Sequence, residues 1–225
     1  MKELNILGVS IREYSLKESL ALTDIYLKNG VMNTVLFVSV KMLLAAGKNP
    51  ELKEWIETMD MTVCAEPDIL RAADMATMSR MREIENSAYL KEVVRRLFKT
   101  KKSVYLLTEK EEDITELKEQ LRQVGPALKI VAENNLEAVD ENIENLVNHM
   151  NDVAADVIIS MIPFPKQEMI IAQNKNFINS EVWFALLMPE ESYKGKGNTN
   201  FWSRFIQSLH FSKFKKKVEN YKETE

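Results

Sequence analysis

Cys64 is the chain's single cysteine, and it closes a short apolar run at 60–64. A thiol at the end of a strand can act as a nucleophile when a histidine takes its proton. The chain has two histidines, His149 and His210, each in an unrelated amphipathic stretch. A Cys–His pair is therefore not expected, and Cys64 reads as a buried structural thiol. One cysteine also excludes an internal disulfide framework and suits a reducing cytoplasm. No set of Cys, His, Asp and Glu has metal-ligand spacing, so neither a metal nor another cofactor is expected. Glycine is scarce, 6 of 225 residues. Loops that cradle phosphate depend on glycine for close backbone approach, and this chain has few to place in them. The methionines at 75, 78 and 81 fall at a helical spacing that reads as core packing.

These residues must be held by elements that the apolar pattern marks out. Strands are read at 4–9, 34–40, 60–64, 103–107, 128–132, 156–161 and 182–188. Helices are read at 15–30, from 41 to 46, and at 50–59, 68–81, 87–99, 114–124, 136–150 and 165–177. Ser15 with Glu18 three residues on has the form of a capping box. Strand–helix alternation predicts an α/β fold with a mainly parallel sheet and helices on both faces. In such folds ligands lie beyond the carboxyl ends of the strands, so the residues just after each strand are the candidates.

The chain carries a net charge of −4, which argues against a nucleic-acid binder. The charge is uneven. Residues 194–225 hold eight Lys/Arg and three Asp/Glu, a charge of +5, so the remainder holds −9. The first nine residues lack the apolar run of a signal peptide, and no stretch of about 18 apolar residues could span a membrane. The expected location is the cytoplasm. One α/β domain is expected over residues 1–190, with 191–225 as a polar linker followed by a basic amphipathic helical appendage.

The order of these elements, with Ile-Leu-Gly-Val at 6–9, Asn-Pro-Glu-Leu at 49–52, Asp60, Leu-Lys-Ile-Val at 128–131, Ser160 and Pro-Lys-Gln-Glu at 165–168, resembles the WecG/TagA/CpsF family. Ala172, Asn174 and Trp202 extend the likeness over nearly the whole chain. The resemblance implies a Rossmann-like sheet. It also implies an enzyme that moves an N-acetylated amino sugar from a UDP donor to a polyprenyl-diphosphate-linked sugar. It places Lys166, Gln167 and Glu168 near the substrate. Against that stands the reading of these three as an ordinary first helical turn, with Glu168 offsetting the dipole and its neighbours solvated.

The departures from the family pattern fall on the strand ends. Where the family carries Thr-x-Asn, this chain has Phe37, Val38 and Ser39. Where it carries Asp-Gly-x-Gly, with the aspartate as catalytic base, this chain has Ala65, Glu66, Pro67 and Asp68. Its Arg-Val-x-Gly-x-Asp becomes 83–88, Glu-Ile-Glu-Asn-Ser-Ala, and its Leu-Gly-Gly turn becomes Leu107, Thr108 and Glu109. Met161, Ile162, Pro163 and Phe164 stand for Gly-x-Gly-Ser, and Ala185, Leu186 and Leu187 for a glycine pair. Glu109, Glu111, Glu112 and Asp113 then favour a helix dipole but repel a diphosphate. Alanine cannot take a proton from an acceptor hydroxyl.

Glu66 and Asp68 are the weak candidates for a displaced base. The alternative is that Pro67 opens a helix whose dipole both acids offset. Two readings follow: a non-catalytic relative acting as a binding or scaffold protein in cell-surface polysaccharide synthesis, for which a UDP-sugar is a doubtful ligand, or an active N-acetylhexosaminyltransferase with a rebuilt site. The tail gives a further expectation. Phe201, Trp202 and Phe205, with Arg204, Lys213, Lys215, Lys216 and Lys217, have the composition of an in-plane helix for an anionic membrane surface, here the inner face of the plasma membrane, or for a protein partner. The alternative is that its aromatic residues pack on the body.

Overall fold

A computed structural model of the chain describes residues 1–139, 142–188 and 211–222. Its centre is a six-stranded sheet in the order β4-β3-β8-β7-β5-β6, parallel throughout. The strands are β3 (Asn33–Val38), β4 (Met61–Cys64), β5 (Ser103–Thr108), β6 (Lys129–Asn135), β7 (Val157–Met161) and β8 (Val182–Leu186). β3, β5, β7 and β8 are buried along their whole length, as expected of strands covered on both faces. Side chains alternate between two cores. Leu36, Tyr105, Ile158 and Trp183 point to one, and Val35, Val104, Ile159 and Phe184 to the other.

The first face is covered by α2 (Val40–Ala46), α3 (Pro50–Glu57), α4 (Pro67–Ala72), α8 (Ile143–Val153) and α9 (Lys166–Asn174). The second is covered by α1 (Leu16–Tyr26), α6 (Ala88–Thr100) and α7 (Glu111–Val124). Helix α5 (Met78–Glu85) sits at the sheet's carboxyl end, and α10 (Phe211–Lys222) is appended after the body. Helix α10 buries Phe214 and Val218 in the first core and touches α4.

The capping box forms as the sequence predicts: Ser15 Oγ accepts from Glu18 N, and Glu18 Oε2 accepts from Ser15 N at 2.8 Å. The N-terminal edge of the sheet is held by two matching clamps. Asp60 Oδ2 accepts from Thr34 N and Thr34 Oγ1 at 2.8 and 2.7 Å. Asp156 Oδ2 accepts from Ser103 N at 2.6 Å and from Ser103 Oγ. Lys102 adds ion pairs to Asp156 and Glu181 beside the second clamp.

Three expectations are corrected. The first strand is two, β1 (Lys2–Ile6) and β2 (Val9–Glu13), paired antiparallel in a separate hairpin. Leu7 and Gly8 turn it with φ of 56° and 78°, a two-residue turn that lacks the usual Asn-Gly or Asp-Gly signal. The helix expected at 68–81 is broken into α4 and α5 by Asp74, which takes φ 57°. Met78 is consequently 64% exposed rather than in the core. The helix expected from 136 begins at Ile143, capped by Asn142 Oδ1 accepting from Asn145 N at 3.0 Å, because β6 runs on to Asn135.

Candidate functional site

The chain leaves β5 towards β6 at one edge and leaves β7 towards β8 in the opposite direction, so the crevice between their carboxyl ends is a topological switch point. This crevice is bridged by the protein's own ion pair, Lys166 Nζ to Glu109 Oε1 at 3.1 Å. Glu109 Oε2 is buried there with no hydrogen-bond partner. Helix α7 starts beside it with Glu111, Glu112 and Asp113 in the first turn. A dianionic diphosphate would meet these carboxylates where it needs backbone N–H groups.

Gln167 and Glu168, expected near substrate, are 2% and 1% exposed, so neither belongs to a solvated helix turn. Gln167 uses its amide on the fold. Its Oε1 accepts from Ser160 Oγ at 2.7 Å and from Ile162 N at 3.2 Å, and its Nε2 donates to Leu186 O at 2.9 Å. Trp183 Nε1 donates to the same Ser160 Oγ at 2.7 Å. Helix α9 is thereby tied to β7 and β8 through buried polar groups, each of which would be costly to leave unpaired. Glu168 lies beneath the surface with Oε2 unpartnered, and burial pushes its carboxyl up to about 7.

The two candidate bases are both engaged. Glu66 Oε1 accepts from Val40 N at 3.1 Å, capping α2 from the neighbouring strand end. Asp68 is 1% exposed and pairs with Arg71 Nη1 at 2.6 Å. Ser39, at the next strand end, caps the same helix by accepting from Met42 N at 3.2 Å.

A pocket opens beyond the ends of β3, β4 and β8, walled by the hairpin, α1, α5 and the start of α6. It encloses about 620 Å³ counting its open mouth, and Phe37, Cys64, Ala65 and Leu186 line it. Neither Glu66 nor Asp68 does. The polar wall is Glu13, Arg80 and Glu83, of which the sequence reading named only Glu83, within the 83–88 departure. Arg80 pairs with both acids and donates through Nη2 to Tyr14 O at 2.7 Å. Glu13 is only 7% exposed. It lies on β2, the strand absent from the sequence reading. Burial, followed by the Glu13 carboxylate, pushes the Cys64 thiol well above its ordinary range, so it stays protonated and unreactive. His149 accompanies Tyr105, its Nδ1 2.8 Å from the phenol oxygen. Tyr105 lies on a strand four places from β4, about 19 Å across the sheet, so no Cys–His pair exists there.

Among the described residues no group of three His, Cys, Asp or Glu could hold a metal ion, and no helix is long and apolar enough to cross a membrane. Phe201, Trp202, Arg204, Phe205 and His210 lie outside the described residues. On α10, Lys216 and Lys217 are exposed, and Lys215 reaches Glu219 at 3.6 Å. Lys213 is in the same helix.

No curated protein is similar enough in sequence to match this chain. A family model does match, the glycosyl transferase WecG/TagA/CpsF family, over residues 4–186. That span runs from the hairpin to the last residue of β8, so it takes in the sheet, the switch crevice and the pocket together and leaves out α10. With the match covering most of the chain and the fold built as the resemblance implies, the protein belongs to the WecG/TagA/CpsF glycosyltransferase family.

Proposed function

We propose that the protein is a non-catalytic member of its family, a binding or scaffold component of cell-surface polysaccharide synthesis. The carrying observation is the lining of the pocket. Ala65 stands where the family pattern has its catalytic aspartate, and Phe37 where it has threonine; both side chains face the cavity. Neither can take a proton, and the nearest acids in sequence are committed elsewhere, Glu66 to the start of α2 and Asp68 to Arg71. The switch crevice supports the same reading, because Lys166 is paired with Glu109 there.

The competing reading is an active N-acetylhexosaminyltransferase using Glu66 or Asp68. Calorimetric titration with UDP and UDP-N-acetylhexosamines, with a transfer assay to a polyprenyl-diphosphate-linked sugar, separates the two. The expected outcome is no saturable heat and no product. Turnover that Glu66→Gln or Asp68→Asn abolishes would establish the competing reading instead.

The basic tail fits a protein that works at the inner face of the plasma membrane, with residues 201–217 as the attachment. Its support is the +5 charge of residues 194–225 against an acidic body.

A further inference from the structure

The pocket has two unlike walls. One is apolar, formed by Phe37, Val63, Ala65, Ile84 and Leu186. The other sets two carboxylates, Glu13 and Glu83, around one guanidinium, Arg80. That wall carries one net negative charge, and Cys64, protonated, adds none. Arg80 meets Glu83 through Oε2 alone, so Oε1 remains an acceptor at the pocket's rim, where Glu83 is 29% exposed. Backbone carbonyl Tyr14 O stands on the same side. The lining is mostly apolar with a few convergent polar groups, the composition of a small-molecule site.

We infer that this pocket binds a small amphiphilic amine, its apolar ring or chain against Phe37, Ala65 and Leu186 and its ammonium facing Glu13 and Glu83. The inference rests on the reading that the site no longer takes a sugar nucleotide. An anion of the same shape would meet the excess carboxylate charge in a partly desolvated cleft, where Coulomb interactions exceed those in water. A neutral alcohol can donate a hydrogen bond to Glu83 Oε1 but gains nothing from the net charge of that wall.

Three ligands of one shape test it: cyclohexylmethylamine, cyclohexylmethanol and cyclohexanecarboxylate, titrated calorimetrically into the full chain at pH 7 and low salt. The amine should bind about tenfold more tightly than the alcohol, and the carboxylate more weakly than either. Glu83→Gln, at a half-buried surface position, should bring amine and alcohol to within about twofold of each other. Ala65→Leu should weaken amine and alcohol together by filling the apolar wall. Equal affinity for all three ligands, preference for the carboxylate, no binding of any of them, or an amine preference that survives Glu83→Gln overturns the inference. The transfer assay distinguishes the failures: turnover of a UDP-sugar defeats the non-catalytic reading, whereas no turnover with no amine binding defeats this inference alone.

Discussion

Glu168 shows how far a motif residue can move from the role its sequence neighbours suggest. It sits in the first turn of α9, where a carboxylate ordinarily favours the dipole, yet it is buried with one oxygen unpartnered. Burial raises its pKa from 4.5 to about 7. The folded state therefore binds the proton more tightly than the unfolded state does. Stability from this group is complete below about pH 4.5 and falls as pH rises towards 7, by up to about 3 kcal/mol. Urea unfolding of the wild type and Glu168→Gln should show the difference between them growing between pH 5 and 7.5, with the variant gaining in relative stability. A constant difference across that range would mean that Glu168 is ionised in the fold at all these pH values. The presence of Pro-Lys-Gln-Glu was legible in the sequence. What the glutamine does was not, because its partners Ser160, Ile162 and Leu186 come from two other strand ends that only the fold brings together.

Among the elements, those announced by local chemistry were the legible ones. The capping box at Ser15, Asn49 ahead of Pro50, and the β-branched run of β3 all act within a few residues of themselves. The missed features depend on distant contacts. The hairpin turn places Leu7 in a left-handed conformation that leucine does not favour, and Gly8 is approached by α10 from the far end of the chain. A Cβ at Gly8 would lie 2.5 Å from the Tyr221 hydroxyl. Gly8→Ala should cost about 1–2 kcal/mol, combining the positive φ with displacement of Tyr221. Tyr221→Phe removes the hydroxyl, so the double variant should recover part of that cost in a chemical-denaturation cycle. Strict additivity would show that α10 does not press on the hairpin in solution. The pocket's polar wall was unreadable for a related reason: Glu13 and Arg80 are 67 residues apart, and no local pattern joins them.

Over the whole molecule the charge is divided between an acidic body and a basic end. Helix α10 buries Phe214 and Val218 while Lys216 and Lys217 stay in solvent, so docking on the body and display of charge coexist in one helix. Each lysine near an anionic leaflet contributes on the order of 1 kcal/mol. Repulsion from the body is screened beyond roughly 8 Å at physiological salt. Co-sedimentation should therefore show binding to anionic vesicles and not to neutral ones, lost in high salt or on truncation before Asn198. Equal sedimentation with and without residues 198–225 would remove the tail as an anchor.

The two carboxylate clamps lie at the end of the sheet opposite the pocket. Asp60 and Asp156 fix the starts of β3 and β5, while the pocket-lining positions follow the strands' other ends. The clamps and the pocket lining thus stand on opposite rims of one sheet. Substitutions in the pocket lining therefore leave both clamps in place. On the non-catalytic reading, Ala65 in place of an aspartate and Phe37 in place of a threonine leave the lower rim untouched. On that same reading the architecture makes a lost activity compatible with a durable protein and leaves the pocket rim open to a new ligand.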